Sequence, residues 1–342
     1  MARLRILCAG LAAVLLAGCV SSLLAHKVVA PPNKSGIKAL FADSAIIQHA
    51  PDAFADVWKV RVGPPRADIV VASIEPGDYA FVYDLRLSYP EGRSPHIEHF
   101  NASWRSAKDV VPRTGPAKGV VVLLHGYLQD KRFLTPWAIR LAQDGYRCVV
   151  LDLRGHGDST GAHISFGAHE SADVSSVLDD LGRRGWDVSR VGLFGVSYGA
   201  SVALLTAGRD PRVQAVVAFE PFASAETAVP ELMRAAFAAQ ARGISDRQFA
   251  AAHRKEAELG GFSWSDADVF AALARTRAPV LFLHGERDTW LSPDHSRQLA
   301  ARAPAGSVLR LVPRDNHVTL PLQIAPYERE VIGWFDAVFI KP

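Results

Sequence analysis

The chain has 342 residues, 49% of them hydrophobic and 21% charged, and a formal net charge of +3. That length and apolar content suit one large α/β domain with insertions, or two smaller ones, and exclude an intrinsically disordered polypeptide. Near charge balance, with no basic run interleaved with aromatics, leaves no footprint for a nucleic-acid partner.

At the amino terminus Arg3 and Arg5 precede the apolar stretch Ile6 to Ala17, the pattern of a secretory signal and too short for a comfortable membrane span. Leu16-Ala17-Gly18-Cys19 resembles the lipobox of bacterial lipoproteins. The resemblance implies removal of residues 1–18, acylation of Cys19 and an enzyme tethered outside the cytoplasm by its lipid. Val20, where the inner-membrane retention signal has Asp, implies outer-membrane sorting on the periplasmic side in a cell with two membranes. An ordinary cleaved signal with a coincidental cysteine is the alternative. With Cys8 removed and Cys19 acylated, Cys148 is the one thiol left in the fold, set in an apolar run and expected to be buried and inert.

Residues 19–53 show little periodicity and contain Pro31-Pro32-Asn33-Lys34-Ser35-Gly36, so they read as a tether. The domain is expected from residue 54 to 342. Alternation from about Phe54 to Ser106, as in Tyr79 to Leu87 and His96 to Trp104, predicts antiparallel strands that begin a mixed sheet; Asn101, although it heads an Asn-Ala-Ser glycosylation pattern, reads as a strand residue. From Gly119 the pattern alternates β and α. Strands are predicted at Gly119 to Leu124, Tyr146 to Leu153, Val191 to Phe194, Val213 to Phe219, Val280 to His284 and Ser307 to Val312. Helices are predicted at Pro136 to Asp144, His169 to Arg184, after Ser197, around His295 to Ala303 and at Ile324 to Phe339. Strands this apolar are buried on both faces, which requires a parallel sheet flanked by helices.

Gly195-Val196-Ser197-Tyr198-Gly199 joins the Val191 strand to a helix through a turn that must be very sharp. Side chains two residues before and after the serine would strike backbone there, hence Gly195 and Gly199. Such a turn exposes the Ser197 hydroxyl at a strand's carboxyl end and aims the Tyr198 N–H, at the helix start, toward an oxyanion.

Four linked motifs are present in order: His125-Gly126-Tyr127, the run Asp152 to Ser159 containing Arg154-Gly155-His156-Gly157, the Ser197 turn, and His284 to Asp288 ahead of His317. Together they resemble the α/β-hydrolase superfamily, most closely its esterases, monoglyceride lipases and serine aminopeptidases, over about Asp68 to the carboxyl terminus. The implied fold is a mostly parallel central sheet with an antiparallel amino-terminal portion, helices on both faces and a small helical lid, placed at residues 221–276. The implied site has Ser197 as nucleophile, His317 as base, Asp288 as its orienting acid, and the Tyr127 N–H beside that of Tyr198 as oxyanion donors. Asn316 stands where the family usually has Gly. Glu286 and Glu220 are rival acids, and Asp315 is too near His317 in sequence to orient it. His125 is expected to shape its loop.

The Asp152 to Ser159 run gathers carboxylates and His156 near His163, but its spacing fits no metal-ligand pattern, so no metal is expected; Arg154 and Asp158 should pin the loop. In the insertion, Val229, Leu232, Met233, Ala236, Phe237 and Gln240 follow helical spacing, either a lid over an acyl pocket or a face packed on the core. The reading that results is a lipid-anchored serine hydrolase of acyl esters or lipid-like esters, needing no cofactor. A peptidase or thioesterase on the same triad is the near alternative, and a non-catalytic envelope-binding lipoprotein the distant one.

Overall fold

The computed structural model describes residues 19–34 and 48–340. Eight strands form the main sheet: β1 (Asp56–Val62), β2 (Ala67–Ile74), β7 (Val120–Leu124), β8 (Arg147–Leu151), β9 (Val191–Val196), β10 (Val213–Phe219), β11 (Val280–Gly285) and β12 (Val308–Val312). Their spatial order is β1-β2-β8-β7-β9-β10-β11-β12. The first two strands run antiparallel and the other six are parallel. From β7 the chain steps to β8 on one side and then to β9 on the other. That reversal opens a crevice at the carboxyl ends of β7 and β9, where open α/β sheets bind ligands.

Alternate residues of each central strand feed two separate cores. Val191 and Leu193 of β9, and Val216 and Ala218 of β10, face the layer of α3 (Glu170–Arg183), α4 (Tyr198–Arg209) and α8 (Val269–Arg275). Phe194, Val196, Val217 and Phe219 face α2 (Thr135–Gln143) and α10 (Ile324–Phe339). On that second side Trp137 lies edge-on to Phe194 and Phe219, with centroids 5.2 and 5.8 Å away, and its indole N–H donates to the Pro321 carbonyl at 2.8 Å. Cys148 is buried, and burial pushes its thiol well above the ordinary range, as suits an inert core residue.

Three expectations need correction. The alternating runs do pair, as β4 (Val82–Ser88) with β5 (His96–Ser103), but in a two-stranded sheet of their own; β3 (Gly77–Asp78) and β6 (Val111–Pro112) form another. Alternation reveals a half-buried strand without naming its neighbour. The hairpin lays Tyr83, Leu85, Ile97 and Phe100 against the second core.

The supposed tether holds a helix over residues 19–29 (α1), and Leu24, Ala25, Val28 and Val29 are buried in the first core. With buried Ser21, these occupy positions i, i+3, i+4, i+7 and i+8, the stripe of an amphipathic helix. Residues 1–18, where the signal is expected, lie outside the described residues. In the insertion, α5 (Ala225–Ala236), α6 (Ala238–Ala241) and α7 (Asp246–Gly260) form the cap, whereas α8 belongs to the layer beneath it: a Cβ on Gly208 of α4 would lie 2.5 Å from the Ala272 carbonyl oxygen.

Candidate active site

Ser197 sits between β9 and α4 with φ 53° and ψ −114°, a conformation sparsely populated by non-glycine residues. The surroundings leave the backbone little choice. A Cβ on Gly195 would lie 2.4 Å from the Gly199 carbonyl oxygen, and one on Gly199 would lie 2.1 Å from that of Leu124 and 2.5 Å from that of His125. The Ser197 N–H donates to the Phe219 carbonyl at 2.7 Å, which ties the turn to the end of β10. Tyr198 is the first helical residue, so its N–H has no intrahelical acceptor.

The loop after β12 brings His317 to the serine, with Nε2 2.9 Å from Ser197 Oγ and Nδ1 2.6 Å from Asp288 Oδ2. Asp288 follows β11 and is itself held on several sides. Its Oδ1 accepts the Trp290 and Leu291 N–H groups at 2.8 and 2.9 Å, and His284 Nε2 lies 3.2 Å from Oδ2. Burial alone would raise this carboxyl, but the charges and hydrogen bonds of His317 and His284 outweigh it and hold the group well below the usual carboxylate range. An ionised Asp288 fixes the proton of His317 on Nδ1 and leaves Nε2 as the base.

The rival acids fall elsewhere. Glu286 is exposed. Asp315 accepts from the Tyr89 and Thr319 hydroxyls at 3.1 and 3.0 Å, so it ties down the histidine loop. Glu220, at the end of β10, is fully buried with Oε2 3.5 Å from His317 Nδ1, and among the described residues neither of its oxygens has a hydrogen-bond partner. Burial, aided by the nearby Asp288 charge, pushes its carboxyl well above the ordinary range.

Asn316, the departure from the family pattern, has a visible task. Its Oδ1 accepts the Val318 and Thr319 N–H groups at 3.0 and 2.9 Å, and its amide donates to the Pro95 carbonyl at 3.1 Å. The Arg314 guanidinium lies 4.0 Å from the centroid of the Tyr89 ring. The β4–β5 hairpin and the segment joining its strands thus brace the histidine loop, a long-range contact with no signal in the local pattern.

Across the serine, Tyr127 follows β7. Its loop is shaped by Gln129, whose Oε1 accepts the Gly126 N–H at 2.8 Å, and by His125, whose Nδ1–H faces the Gly126 carbonyl at 2.8 Å while Nε2 accepts the Leu153 N–H at 3.0 Å. Burial lowers His125 to about 4, consistent with a neutral structural imidazole. In the Asp152 to Ser159 run, Asp152 accepts from the Lys131 N–H and ammonium at 2.8 Å each, Asp158 meets Lys131 at 2.7 Å, and Arg154 grips Asp173 through two bonds of 2.9 and 2.7 Å. These groups are spent on one another. Among the described residues, the side chains that could jointly ligate an ion are Glu220, Asp288 and His317. The 2.6 Å Asp288–His317 separation is a hydrogen bond, shorter than the roughly 3 Å between two ligands of one tetrahedral ion.

Two cavities meet at Ser197 and Tyr127. The smaller, about 160 Å³, is walled by Leu128, Phe133, Phe237, Trp290 and Val318 beside His317. The larger, about 870 Å³, runs under the cap, whose Val229, Leu232, Met233, Phe237 and Gln240 all line it. Val229 and Met233 also pack against the first core, so that helical stripe both lines the cavity and joins the core.

The serine aminopeptidase S33 family profile matches residues 115–274. The quorum-quenching protein AidA of Acinetobacter baumannii is 33% identical over 125 residues, 32% of this chain and 38% of that protein. The sn-1-specific diacylglycerol lipase of Mus musculus is 26% identical over 58% of this chain and 74% of its own. Several curated relatives are matched over less than half of their own length. A Pyrococcus furiosus esterase structure superimposes with a TM-score of 0.59 at 18% identity, covering 92% of this chain and 98% of that one. The chain has the α/β-hydrolase fold, and its similarities run to hydrolases.

Proposed function

We propose that this chain is a serine hydrolase that cleaves carboxylic esters of hydrophobic acyl groups. The observation that carries the reading is the hydrogen-bonded line from Ser197 Oγ through His317 to an ionised Asp288, placed where two largely apolar cavities meet. His317 Nε2 takes the hydroxyl proton as Oγ attacks the ester carbonyl carbon. The oxyanion forms opposite the Tyr127 and Tyr198 N–H groups, donors of a kind worth about 2.7–4 kcal/mol each in related sites. Collapse breaks the C–O bond, and the leaving alkoxide receives the proton from Nε2. Water then gives a proton to Nε2 and attacks the acyl-enzyme, releasing the acid and restoring Ser197.

A peptidase would use the same three residues, and the family profile points that way. An aminopeptidase must bind an ammonium group, yet among the described residues neither cavity is lined by Asp or Glu, and the larger has Lys27 and Lys34 on its wall. Ester cleavage is therefore the better fit. A fluorophosphonate probe should label Ser197, with labelling lost in His317→Ala, and p-nitrophenyl esters should be turned over. Cleavage of aminoacyl amides in preference to esters would reverse the choice, and a folded chain that hydrolyses neither would favour a binding protein.

The anchoring reading rests on the lipobox-like Leu16 to Cys19 and on the exposure of Cys19. Among the described residues no helix is long and apolar enough to cross a membrane. Cys19→Ala should shift the protein from the detergent-requiring membrane fraction to the soluble one. Persistence of the variant in that fraction would remove the lipid anchor.

A further inference from the structure

Beside the core residues around Ser197, the larger cavity has two walls unrelated in sequence. One is the cap, and the other is α1 and the residues after it, including Leu23, Leu24 and Val28, which lie some 170 positions before Ser197 in the chain. This amino-terminal segment is tied to the body of the protein. The Val29 carbonyl accepts the Ile164 N–H at 2.9 Å, the Asn33 N–H donates to the Gly155 carbonyl at 3.1 Å, and the Asn33 amide donates to the Gly157 and Ser159 carbonyls at 2.9 Å each. The Arg154-Gly155-His156-Gly157 loop is thereby a mooring for α1, and Pro31 packs so near Gly155 that a Cβ there would lie 3.0 Å from it.

At about 870 Å³ the cavity is near the upper end of small-molecule sites, roughly 300–1,000 Å³, and far exceeds what an acetyl group fills. Its polar lining groups from this segment, His26, Lys27 and Lys34, are exposed and so mark the rim. Inside, a sugar or peptide would leave polar groups unpaired, whereas hydrocarbon would not. The cavity is continuous with Ser197, where the scissile carbonyl must sit.

We propose that α1 forms one wall of an acyl-chain site, so that residues just after Cys19 select esters with long hydrocarbon chains. This rests on the ester reading of Ser197. Each methylene fully buried there raises the specificity constant by about fourfold. Leu23 is 62% exposed, so replacing it spares the core, while Val28 faces the cavity from a buried position.

The test uses the full chain, dodecyl and ethyl fluorophosphonates reacting at Ser197, and p-nitrophenyl laurate and acetate. The unaltered protein should favour the long member of each pair at least about tenfold. Leu23→Asp should cut that ratio about tenfold, and Val28→Trp should move the optimum to shorter chains. Equal slowing of long and short probes in both variants, or ratios that do not move, would overturn the assignment, since a merely structural helix predicts one or the other. Long-chain preference in labelling without turnover of any ester would refute the ester reading and leave the acyl site standing. Ester turnover without chain-length preference would do the reverse.

Discussion

Around Ser197 the structure constrains atoms through backbone contacts and hydrogen bonds: Gly199 has no room for a Cβ, Asp288 is held by two N–H groups and two imidazoles, and Asn316 knots the histidine loop. The wall of the larger cavity is built otherwise. Val229, Leu232 and Met233 of the cap are only partly buried, the helix breaks at Phe237, and Leu23 opposite is exposed. Reaction geometry tolerates little displacement, so it is fixed by contacts that cannot slide. Hydrocarbon recognition is non-directional, so side chains from distant segments can share it.

The first way to test that contrast is Ser197→Ala, which should lower kcat about a millionfold while leaving thermal unfolding nearly unchanged. Retained turnover would place the nucleophile elsewhere. Next, Asp288→Asn should cost about ten-thousandfold in kcat through loss of the correct tautomer, whereas Glu220→Gln, which keeps the side chain's shape and leaves the Asp288–His317 bond in place, should cost less than about tenfold. Equal losses in the two would mean that Glu220 shares the orienting role.

Acid should loosen the rigid end. His125 and His156 are fully buried, and burial lowers them to about 4 and about 3 from an ordinary 6.5. Between those values the unfolded chain binds protons that the folded chain does not. Stability present above pH 6.5 is therefore lost as the pH falls toward 4, by about 2 kcal/mol per histidine at pH 5. Thermal unfolding at pH 7.5 and pH 5 reads this directly, and His156→Phe should flatten the dependence; an unchanged slope would show that other groups set it. The smallest effect expected is on the cavity wall. Met233→Ala should raise KM for a long-chain ester several-fold with kcat kept, and a fall in kcat instead would show that the cap positions the reacting carbonyl.

Several features could be read from residues alone because their signals are local. The glycines flanking Ser197 report a steric demand within five residues, and the strand from Val213 to Phe219 and the helix from Ile324 to Phe339 follow from periodicity over one element. The order of Ser197, Asp288 and His317 along the chain was legible too, and with it Asp288 as the acid, but Glu220 stayed a rival. Both carboxylates end adjacent strands, and only the folded distances, 2.6 Å against 3.5 Å from His317 Nδ1, separate them. The same limit hid the separate hairpin sheet, which braces His317 from more than 200 residues away; α1 is a different case, since its buried stripe at i, i+3, i+4, i+7 and i+8 is a local signal that the turn-rich Pro31 to Gly36 beside it obscures. Sequence specified the turn, the strands and the candidate chemistry, since each depends on neighbouring residues. What removes the rival acid, and which walls meet around the substrate, depended on tertiary structure, since these are distances between segments that the linear pattern does not contain.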